Sequence, residues 1–129
     1  MGVPMAANLA AAGFRLQTYD ARGTGTHRSA RKAAEDADVM LTMLPDGDAV
    51  REVMLDALPA LKRGALVIDM SSSDPLGTRA LAAVLSPHGV SMVDAPVSGA
   101  LPKAKDARLA IMVGGSAEDV RRSTRRRPE

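Results

Sequence analysis

Short apolar runs alternate with helical stretches along this chain of 129 residues. The runs DVMLTMLP and ALVIDM hold few polar residues, which is typical of strands that are covered on both faces. Strands that alternate with helices predict a parallel sheet with helices on both sides. We therefore expect an α/β fold with a doubly wound, mainly parallel sheet. The predicted strands are residues 15–20, 39–44, 65–70, 91–95 and 108–113.

Residues that begin or end helices stand between these runs. Gly13 follows the Ala-rich stretch AANLAAA and can end a helix there in a left-handed cap. Asp46 or Asp48 can cap the amino end of a helix over AVREVMLDAL. A helix over LGTRALAAVLS has Pro75 near its first turn and Gly89 past its end. The stretch SGALPKAKDA is expected to be a loop.

The composition excludes several kinds of site. The chain has no Cys, so disulfides and thiol-based metal or redox sites are excluded. His27 and His88 are too few for a zinc site without carboxylates and are interpreted as solvated surface, so no metal site is expected. No apolar run reaches the length of a membrane span and no signal peptide stands out. These features predict a cytoplasmic protein without a membrane partner.

Basic charge is concentrated at the carboxyl end. The last nine residues, RRSTRRRPE, carry a net charge of +4, whereas residues 1–120 carry 12 basic and 14 acidic side chains. We expect residues 121–129 to form a disordered basic tail. A nucleic-acid-associated protein that acts through this tail is kept as an alternative. Against it, aromatic residues make up only 2% of the chain and offer few surfaces for stacking on bases.

Gly2 and Asp20 match half of a dinucleotide-binding motif. In such folds a strand leads into Gly-x-Gly-x-x-Gly at the start of a helix, and an acidic residue follows about 20 positions later. Gly2 fits the third glycine, and Asp20 stands 18 residues further on. The helix start would face the pyrophosphate, and the carboxylate would bind the ribose hydroxyls. One glycine before an Ala-rich helix is usually ordinary helix packing, so this half-motif alone is a weak signal.

Longer stretches carry a family resemblance. The stretches MGVPMAANLAAAGF, TMLPD, VIDMSSSDP and DAPVSG with AIMVGG follow the order and approximate spacing of the β-hydroxyacid dehydrogenase family, which the chain resembles up to about Val120. That family includes 3-hydroxyisobutyrate dehydrogenase and tartronate semialdehyde reductase, and its cofactor domain is of the 6-phosphogluconate dehydrogenase NAD(P)-binding type. The resemblance implies that residues 1–120 are a partial, Rossmann-like NAD(P)-binding domain of a 3-hydroxyacid dehydrogenase.

The same resemblance implies NAD as the cofactor, with NADP as a second possibility. Asp20 would bind the adenosine ribose and repel a 2′-phosphate, whereas the nearby Arg22 can accept that phosphate. Leu44 and Pro45 would line the adenosine side of the crevice, and Ser72 would lie near the nicotinamide ribose. The cofactor-binding residues implied in this way are Gly2, Asp20, Arg22, Leu44, Pro45 and Ser72.

A substrate site is implied as well. Ser98 and Gly99 would bind the carboxylate of a small hydroxy acid, such as 3-hydroxyisobutyrate, through a hydroxyl and a backbone N–H. The family's catalytic lysine belongs to a following helical domain beyond the end of this chain, so no catalytic residue is expected here. Lys103 and Lys105 are interpreted as surface charges. The site residues also have structural interpretations, since Ser71–Ser73 can cap a helix and Ser98 with Gly99 can form a turn.

Several departures from the family pattern bear on activity. The first strand with its Gly-x-Gly is absent, so the sheet is expected to lack that strand and to show either a gap or RLQTYD shifted into its place. Ala100 and Ala107 stand where the family has glycines. We expect a chain truncated at both ends that binds NAD weakly and has little activity alone. The alternative is a non-catalytic remnant that binds a nucleotide or a partner chain, and an oligomer is left open.

Overall fold

The computed structural model describes residues 1–124. A parallel sheet is formed by three short strands, β1 (Val39–Thr42), β2 (Leu66–Asp69) and β3 (Ser91–Asp94), in that spatial order. The register places Val39, Leu66 and Ser91 side by side. These strands confirm the ones predicted within residues 39–44, 65–70 and 91–95, and their common direction confirms the parallel sheet.

Within residues 1–124 there are six α-helices and two short 3₁₀ turns. The helices are α1 (Gly2–Ala11), α2 (Ala30–Ala34), α3 (Gly47–Ala57), α4 (Pro75–Leu85), α5 (Ala100–Lys105) and α6 (Ala117–Ser123). The 3₁₀ turns, Leu58–Ala60 and Ser86–His88, directly follow α3 and α4. Every helix in this part of the chain is too short or too polar to cross a bilayer.

The predicted helix ends are confirmed. Asp46 caps α3, because its Oδ1 accepts a hydrogen bond from the Ala49 N–H at 2.9 Å. Gly13 follows α1 with φ 97°, and Gly89 follows the turn after α4 with φ 73°. Both glycines hold the left-handed conformation that ends a helix without a steric penalty.

Helix α5 corrects the expectation of a loop over SGALPKAKDA. Pro102 is a helix breaker in a helix interior, but here it is the third residue of α5. The N–H groups of a first turn have no partner inside the helix, so a proline there removes no hydrogen bond. The short helix therefore forms in spite of its proline.

One face of the sheet packs on the main core. Met54 of α3, Val67 of β2 and Leu85 of α4 are fully buried in it. Alanines of α2 complete the cluster on its outer side. This core links the three strands to the helices that follow β1 and β2, and it holds the carboxyl ends of the strands in fixed positions.

The opposite face of the sheet is covered only in part. Leu66 and Val93 are buried there, and α6 packs against β2 and β3. By contrast, Val39 and Leu41 of β1 are 46% and 42% exposed. Side chains alternate between the two faces of a strand, so these two residues point to the same face as Leu66. The sheet is thus open at its β1 edge among the described residues.

Residues 15–20 do not form the predicted strand. They pair with no strand in the part of the chain that the structure describes, so of the two expected arrangements the gap beside β1 is the one found. Local bonds hold this segment instead: Gln17 Nε2 donates to the Glu35 carbonyl at 2.9 Å, and Thr18 is bonded to Thr26. A strand forms only beside another strand, because its backbone groups need a ladder of partners.

The further strand predicted near residues 108–113 is confirmed at Ala110–Ile111, but it lies outside the parallel sheet. The strand β5 (Ala110–Ile111) pairs antiparallel with β4 (Val97–Ser98), and Asp94 forms an antiparallel bridge with Gly114. The connection, residues 99–109, contains α5 and reverses the chain.

The boundary expected at residue 120 falls inside α6. This helix runs to Ser123, so the first three residues of the expected tail are helical. The Arg122 Nη2 group donates a hydrogen bond to the Gly64 carbonyl at 2.7 Å. The rest of the expected disordered tail, residues 125–129, lies outside the described residues.

Two alanines around α5 adopt the left-handed conformation. Ala100 and Ala107 both have φ 58°. The left-handed region costs an L-residue roughly 1–2 kcal/mol, and glycine avoids that cost. Ala107→Gly is therefore expected to raise the free energy of unfolding by about 0.5–1 kcal/mol, measured by urea denaturation.

The matched control for this substitution is Ala83→Gly in the exposed part of α4. There the backbone is helical, and the same change is expected to lower the free energy of unfolding by about 0.5–1 kcal/mol. Equal destabilisation by both glycines would show that Ala107 is not strained.

Candidate functional site

The loops after β1 and β2 meet at the carboxyl edge of the sheet. Leu44 and Pro45 follow β1, and Ser72 follows β2. The Leu44 N–H donates a hydrogen bond to the Ser71 hydroxyl at 2.8 Å, which joins the two loops directly. Pro45 and Ser72 are exposed beside this link. Ligands of open parallel sheets bind at this edge, so the structure places these predicted cofactor residues where a ligand can reach them.

Asp69 lies beneath the same two loops. It is fully buried at the end of β2, and its carboxylate accepts hydrogen bonds from Thr42, Ser71 and Ser73. Sequence reasoning missed this residue. The signal was a lone acidic side chain inside the apolar run ALVIDM, because a buried carboxylate needs several hydrogen-bond donors around it.

Asp20 lies in a tight turn that it closes with Arg22. Its Oδ1 accepts hydrogen bonds from the Arg22 N–H at 2.8 Å and from Nε at 3.2 Å, and its Oδ2 pairs with Nη2 at 3.1 Å. Hydrogen bonds from the Arg22 side chain and backbone hold the pKa of the Asp20 carboxyl below its usual value. The carboxylate is therefore ionised at neutral pH and available as a hydrogen-bond acceptor.

An open cleft of about 450 Å³ adjoins this turn. Its lining residues are Tyr19, Asp20, Ala21, Gly23, Gly25, Thr26, His27 and Arg28. His27, interpreted from the sequence as solvated surface, thus lines the cleft, with its Nδ1 2.8 Å from the Thr26 hydroxyl. His88, in contrast, is exposed, as predicted. The signal for His27 was the glycine-rich stretch ARGTGTH, which folds back on itself.

Reciprocal bonds between Thr18 and Thr26 close this glycine-rich loop. The backbone N–H of each residue donates to the hydroxyl of the other at 2.9 Å. The His27 N–H also donates to the Thr18 carbonyl at 2.9 Å. Gly25 lies inside the closure, where an added Cβ would stand only 2.7 Å from the Thr18 carbonyl oxygen. The loop that carries Asp20 therefore depends on a glycine at this position.

Gly2 is the first residue of α1. No side chain within residues 1–124 caps the amino end of this helix, and none of the helix residues is buried. Apart from the neighbouring residues of α1, a Cβ on Gly2 would meet no described atom within 4 Å, so no other described segment packs closely on this glycine. The helix is held by a hydrogen bond from Asn8 Nδ2 to the Ala104 carbonyl of α5 at 2.7 Å.

Ser98 and Gly99 stand between β4 and α5. Ser98 is exposed, and Gly99 has φ 136° at the start of the helix. An added Cβ on Gly99 would lie 2.8 Å from the Lys103 side chain, so this turn requires glycine both for its φ angle and for space. Lys103 and Lys105 are exposed on α5, in agreement with their interpretation as surface charges.

Asp94 lies beside Asp69 in the register of β2 and β3. Its Oδ1 is buried and has no hydrogen-bond partner among the described residues. Burial, and secondly the charge of Asp69, raise the pKa of the Asp94 carboxyl. The ionised side chain therefore costs stability at neutral pH.

Asp94→Asn is expected to raise the free energy of unfolding at pH 7 by about 1 kcal/mol. A carboxyl with a raised folded pKa destabilises the protein above that pKa, and the cost vanishes below its unfolded value. The gain is therefore expected to shrink as the pH falls and to disappear near about pH 4. Urea denaturation of both chains from pH 7 to 4 measures this difference. A constant difference would show that Asp94 does not titrate in this range.

A family model described as the NAD binding domain of 6-phosphogluconate dehydrogenase matches residues 1–125. The chain belongs to this family. The match confirms the predicted family and the Rossmann-like NAD-binding fold. It does not test the individual site residues, which stay predictions.

Curated relatives agree with this assignment. The chain is 40% identical over 133 residues to a "Probable 3-hydroxyisobutyrate dehydrogenase" of Mycobacterium tuberculosis, with 95% of this chain and 45% of that protein covered. It is 38% identical over 137 residues to the 3-sulfolactaldehyde reductase of Escherichia coli, covering 96% of this chain and 46% of that protein. The chain thus spans less than half the length of these two relatives.

Solved structures support the fold. The 3-hydroxyisobutyrate dehydrogenase of Mycobacterium tuberculosis, solved with L-serine, matches with a TM-score of 0.92 at 39% identity, covering 96% of this chain and 46% of that one. An imine reductase from Myxococcus stipitatus, solved as a variant with NAD+, matches with a TM-score of 0.81 at 20% identity, covering 95% of this chain and 45% of that one. At that lower identity the likeness concerns the fold alone.

Proposed function

We propose that this chain supplies the cofactor-binding part of an NAD(P)-dependent 3-hydroxyacid dehydrogenase. The observation that carries the proposal is the ionised Asp20 carboxylate, which stands at an open cleft 18 residues after the start of α1. The relatives are named a 3-hydroxyisobutyrate dehydrogenase and a 3-sulfolactaldehyde reductase. These names support a small substrate whose hydroxyl-bearing carbon loses a hydride or whose aldehyde carbon gains one. When bound, the nicotinamide ring supplies the hydride acceptor or donor.

The residues present fit a dinucleotide. Asp20 offers a carboxylate that is 29% exposed, which suits the hydroxyls of a ribose. The amino end of α1 has no side-chain cap within residues 1–124, so its N–H groups and its positive dipole end suit a pyrophosphate. Arg22 is 76% exposed and suits a 2′-phosphate, which supports NADP as a second cofactor.

The remaining proposed roles are those that the family resemblance implies. Gly2 would admit the pyrophosphate to the start of α1, Leu44 and Pro45 would line the adenosine side, and Ser72 would bind the nicotinamide ribose. Ser98 and Gly99 would bind a substrate carboxylate, which the exposure of the Ser98 hydroxyl supports. We assign no proton-transfer residue within residues 1–124. A cytoplasmic location and a small hydroxy-acid partner belong to the same proposal.

An NMR titration of the ¹⁵N-labelled 129-residue chain with NAD+ tests the proposal. We expect weak, saturable binding that shifts the amide signals of Asp20, Leu44 and Ser72. Adenosine alone should shift the signals of Asp20 and Leu44 but leave that of Ser72 unchanged. A titration in which NAD+ shifts none of these signals would overturn the proposal.

A second titration distinguishes the proposed cofactor binding from the alternative of nucleic-acid binding through the basic tail. A chain that ends at Ser123 lacks most of the basic tail. We expect it to bind NAD+ as the full chain does. Binding of single-stranded DNA by the full chain, lost in the shortened one and without any NAD+ binding, would favour the alternative instead.

A further inference from the structure

The buried carboxylate of Asp69 lies at the centre of a hydrogen-bond network. Its Oδ1 accepts from the Thr42 hydroxyl at 2.9 Å and from the Ser71 N–H at 3.0 Å, and its Oδ2 accepts from the Ser73 hydroxyl at 2.9 Å. The side chain has no exposed surface. An acidic group is costly in such a place unless donors surround it, and here three donors do so.

The network joins the loops after β1 and β2. Thr42 is the last residue of β1, and its carbonyl accepts a hydrogen bond from the Met70 N–H at 2.8 Å. The Ser71 hydroxyl in turn accepts from the Leu44 N–H at 2.8 Å. Ser71 thus bonds to Asp69 through its N–H and to Leu44 through its hydroxyl, which links the buried carboxylate to the loop after β1.

Exposed residues directly follow the network in both loops. Asp69 and Ser71 have no exposed surface, so neither can touch a ligand in this conformation. Ser72 follows Ser71 and is exposed, and Pro45 follows Leu44 and is exposed. The network thus ends at the two positions that the proposed function assigns to the cofactor.

Capping of the next helix does not account for this arrangement. The N-cap of α4 is Asp74, whose side chain makes no capping hydrogen bond within the described chain. Asp69 bonds instead to Thr42 at the end of β1 and to Ser71 and Ser73 in the loop after β2. Fully satisfied buried networks favour one arrangement of the parts they join, and they contribute more to this specificity than to net stability.

We propose that Asp69 is a positioning residue that, through Thr42, Ser71 and Ser73, holds Pro45 and Ser72 at the separation that NAD+ requires. This inference rests on the proposed function for the identity of the ligand. Asp69 touches no ligand itself. Its effect is to keep two loops from different strands in one fixed relation before the cofactor arrives.

Two substitutions of Thr42 separate positioning from packing. Thr42→Val keeps the shape of this 3% exposed side chain and removes the donor to Asp69, whereas Thr42→Ser keeps the donor and removes a methyl group. If Asp69 positions the loops, the valine variant binds NAD+ roughly tenfold more weakly, and the serine variant binds within about twofold of the unaltered chain. If Thr42 acted only through packing, Thr42→Ser would bind NAD+ more weakly than Thr42→Val, because the lost methyl group leaves a cavity.

Hydrogen exchange in the absence of ligand provides the second measurement. The Leu44 and Ser71 amides donate within the network, so we expect them to exchange roughly tenfold faster in Thr42→Val than in the unaltered chain. Thr78→Val is the matched control, since it makes the same substitution in α4 at a buried hydroxyl that has no hydrogen-bond partner among the described residues. It should leave NAD+ affinity and these two exchange rates unchanged.

The outcomes distinguish this inference from the proposed function. If the unaltered chain binds no NAD+, the proposed function fails, and the cofactor role of Asp69 fails with it. If the unaltered chain binds NAD+ and Thr42→Val binds it equally well, only the positioning role is overturned. Unchanged exchange at Leu44 and Ser71 in Thr42→Val overturns the coupling of the loops whatever the titration shows.

Discussion

Asp20→Ala is expected to weaken NAD+ binding by about tenfold or more, because hydrogen bonds to a charged carboxylate are among the stronger polar contacts. The same substitution removes the side chain that holds the Arg22 guanidinium at 3.1–3.2 Å. The freed guanidinium can turn to a 2′-phosphate, so NADP+ binding is expected to stay within about twofold or to improve. NMR titrations with the two cofactors measure both affinities.

Arg22→Ala is the matched partner of that experiment. It leaves the carboxylate in place and is expected to weaken NADP+ binding while NAD+ binding changes little. If both substitutions weaken the binding of NAD+ and of NADP+ equally, the turn acts only as a structural element, and Asp20 does not bind the ribose.

Gly25→Ala is expected to open the loop that carries Asp20. The added Cβ would lie 2.7 Å from the Thr18 carbonyl oxygen and 2.8 Å from the Tyr19 Cα, both of which are backbone atoms. Backbone atoms cannot move aside as the end of a flexible side chain can, so the two segments must separate. The reciprocal hydrogen bonds between Thr18 and Thr26 would then lengthen or break. We expect a loss of about 1–3 kcal/mol in the free energy of unfolding and roughly tenfold weaker NAD+ binding.

Gly77→Ala is the control for this change. Gly77 lies on the exposed side of α4, and an added Cβ would meet no described atom within 4 Å. Alanine is the better helix former, so this variant is expected to gain up to about 1 kcal/mol and to bind NAD+ unchanged. Urea denaturation and the NAD+ titration of both variants check the pair. A Gly25→Ala chain as stable as the unaltered one would contradict the close approach of the two backbone segments.

The sequence predicted the location of those candidate residues that directly follow a strand, while their roles stay predictions. Leu44, Pro45 and Ser72 come within a few residues of the ends of β1 and β2, so any parallel sheet brings them to one edge. Asp69 was missed because its partner on the neighbouring strand, Thr42, is 27 residues away in the chain. A bond of this kind depends on the register of two strands, which no local pattern specifies.

The amino-acid sequence by itself determined the capped helices and the three parallel strands. Asp46, Gly13 and Gly89 act on backbone groups within a few residues, so their effect does not depend on distant parts of the chain. The runs that became β2 and β3 are apolar enough to require burial wherever they lie. Such local signals are fully contained in the order of the residues.

Only the tertiary structure decided whether residues 15–20 form a strand and in which direction the strand at residues 110–111 runs. Residues 15–20 have the pattern of a strand, but among the described residues they have no neighbouring strand to complete a ladder, and side-chain bonds hold them instead. Residues 110–111 form a strand whose direction follows from the reversal through α5. Strand pairing joins residues that are far apart in the chain, so its outcome depends on the path of the backbone between them.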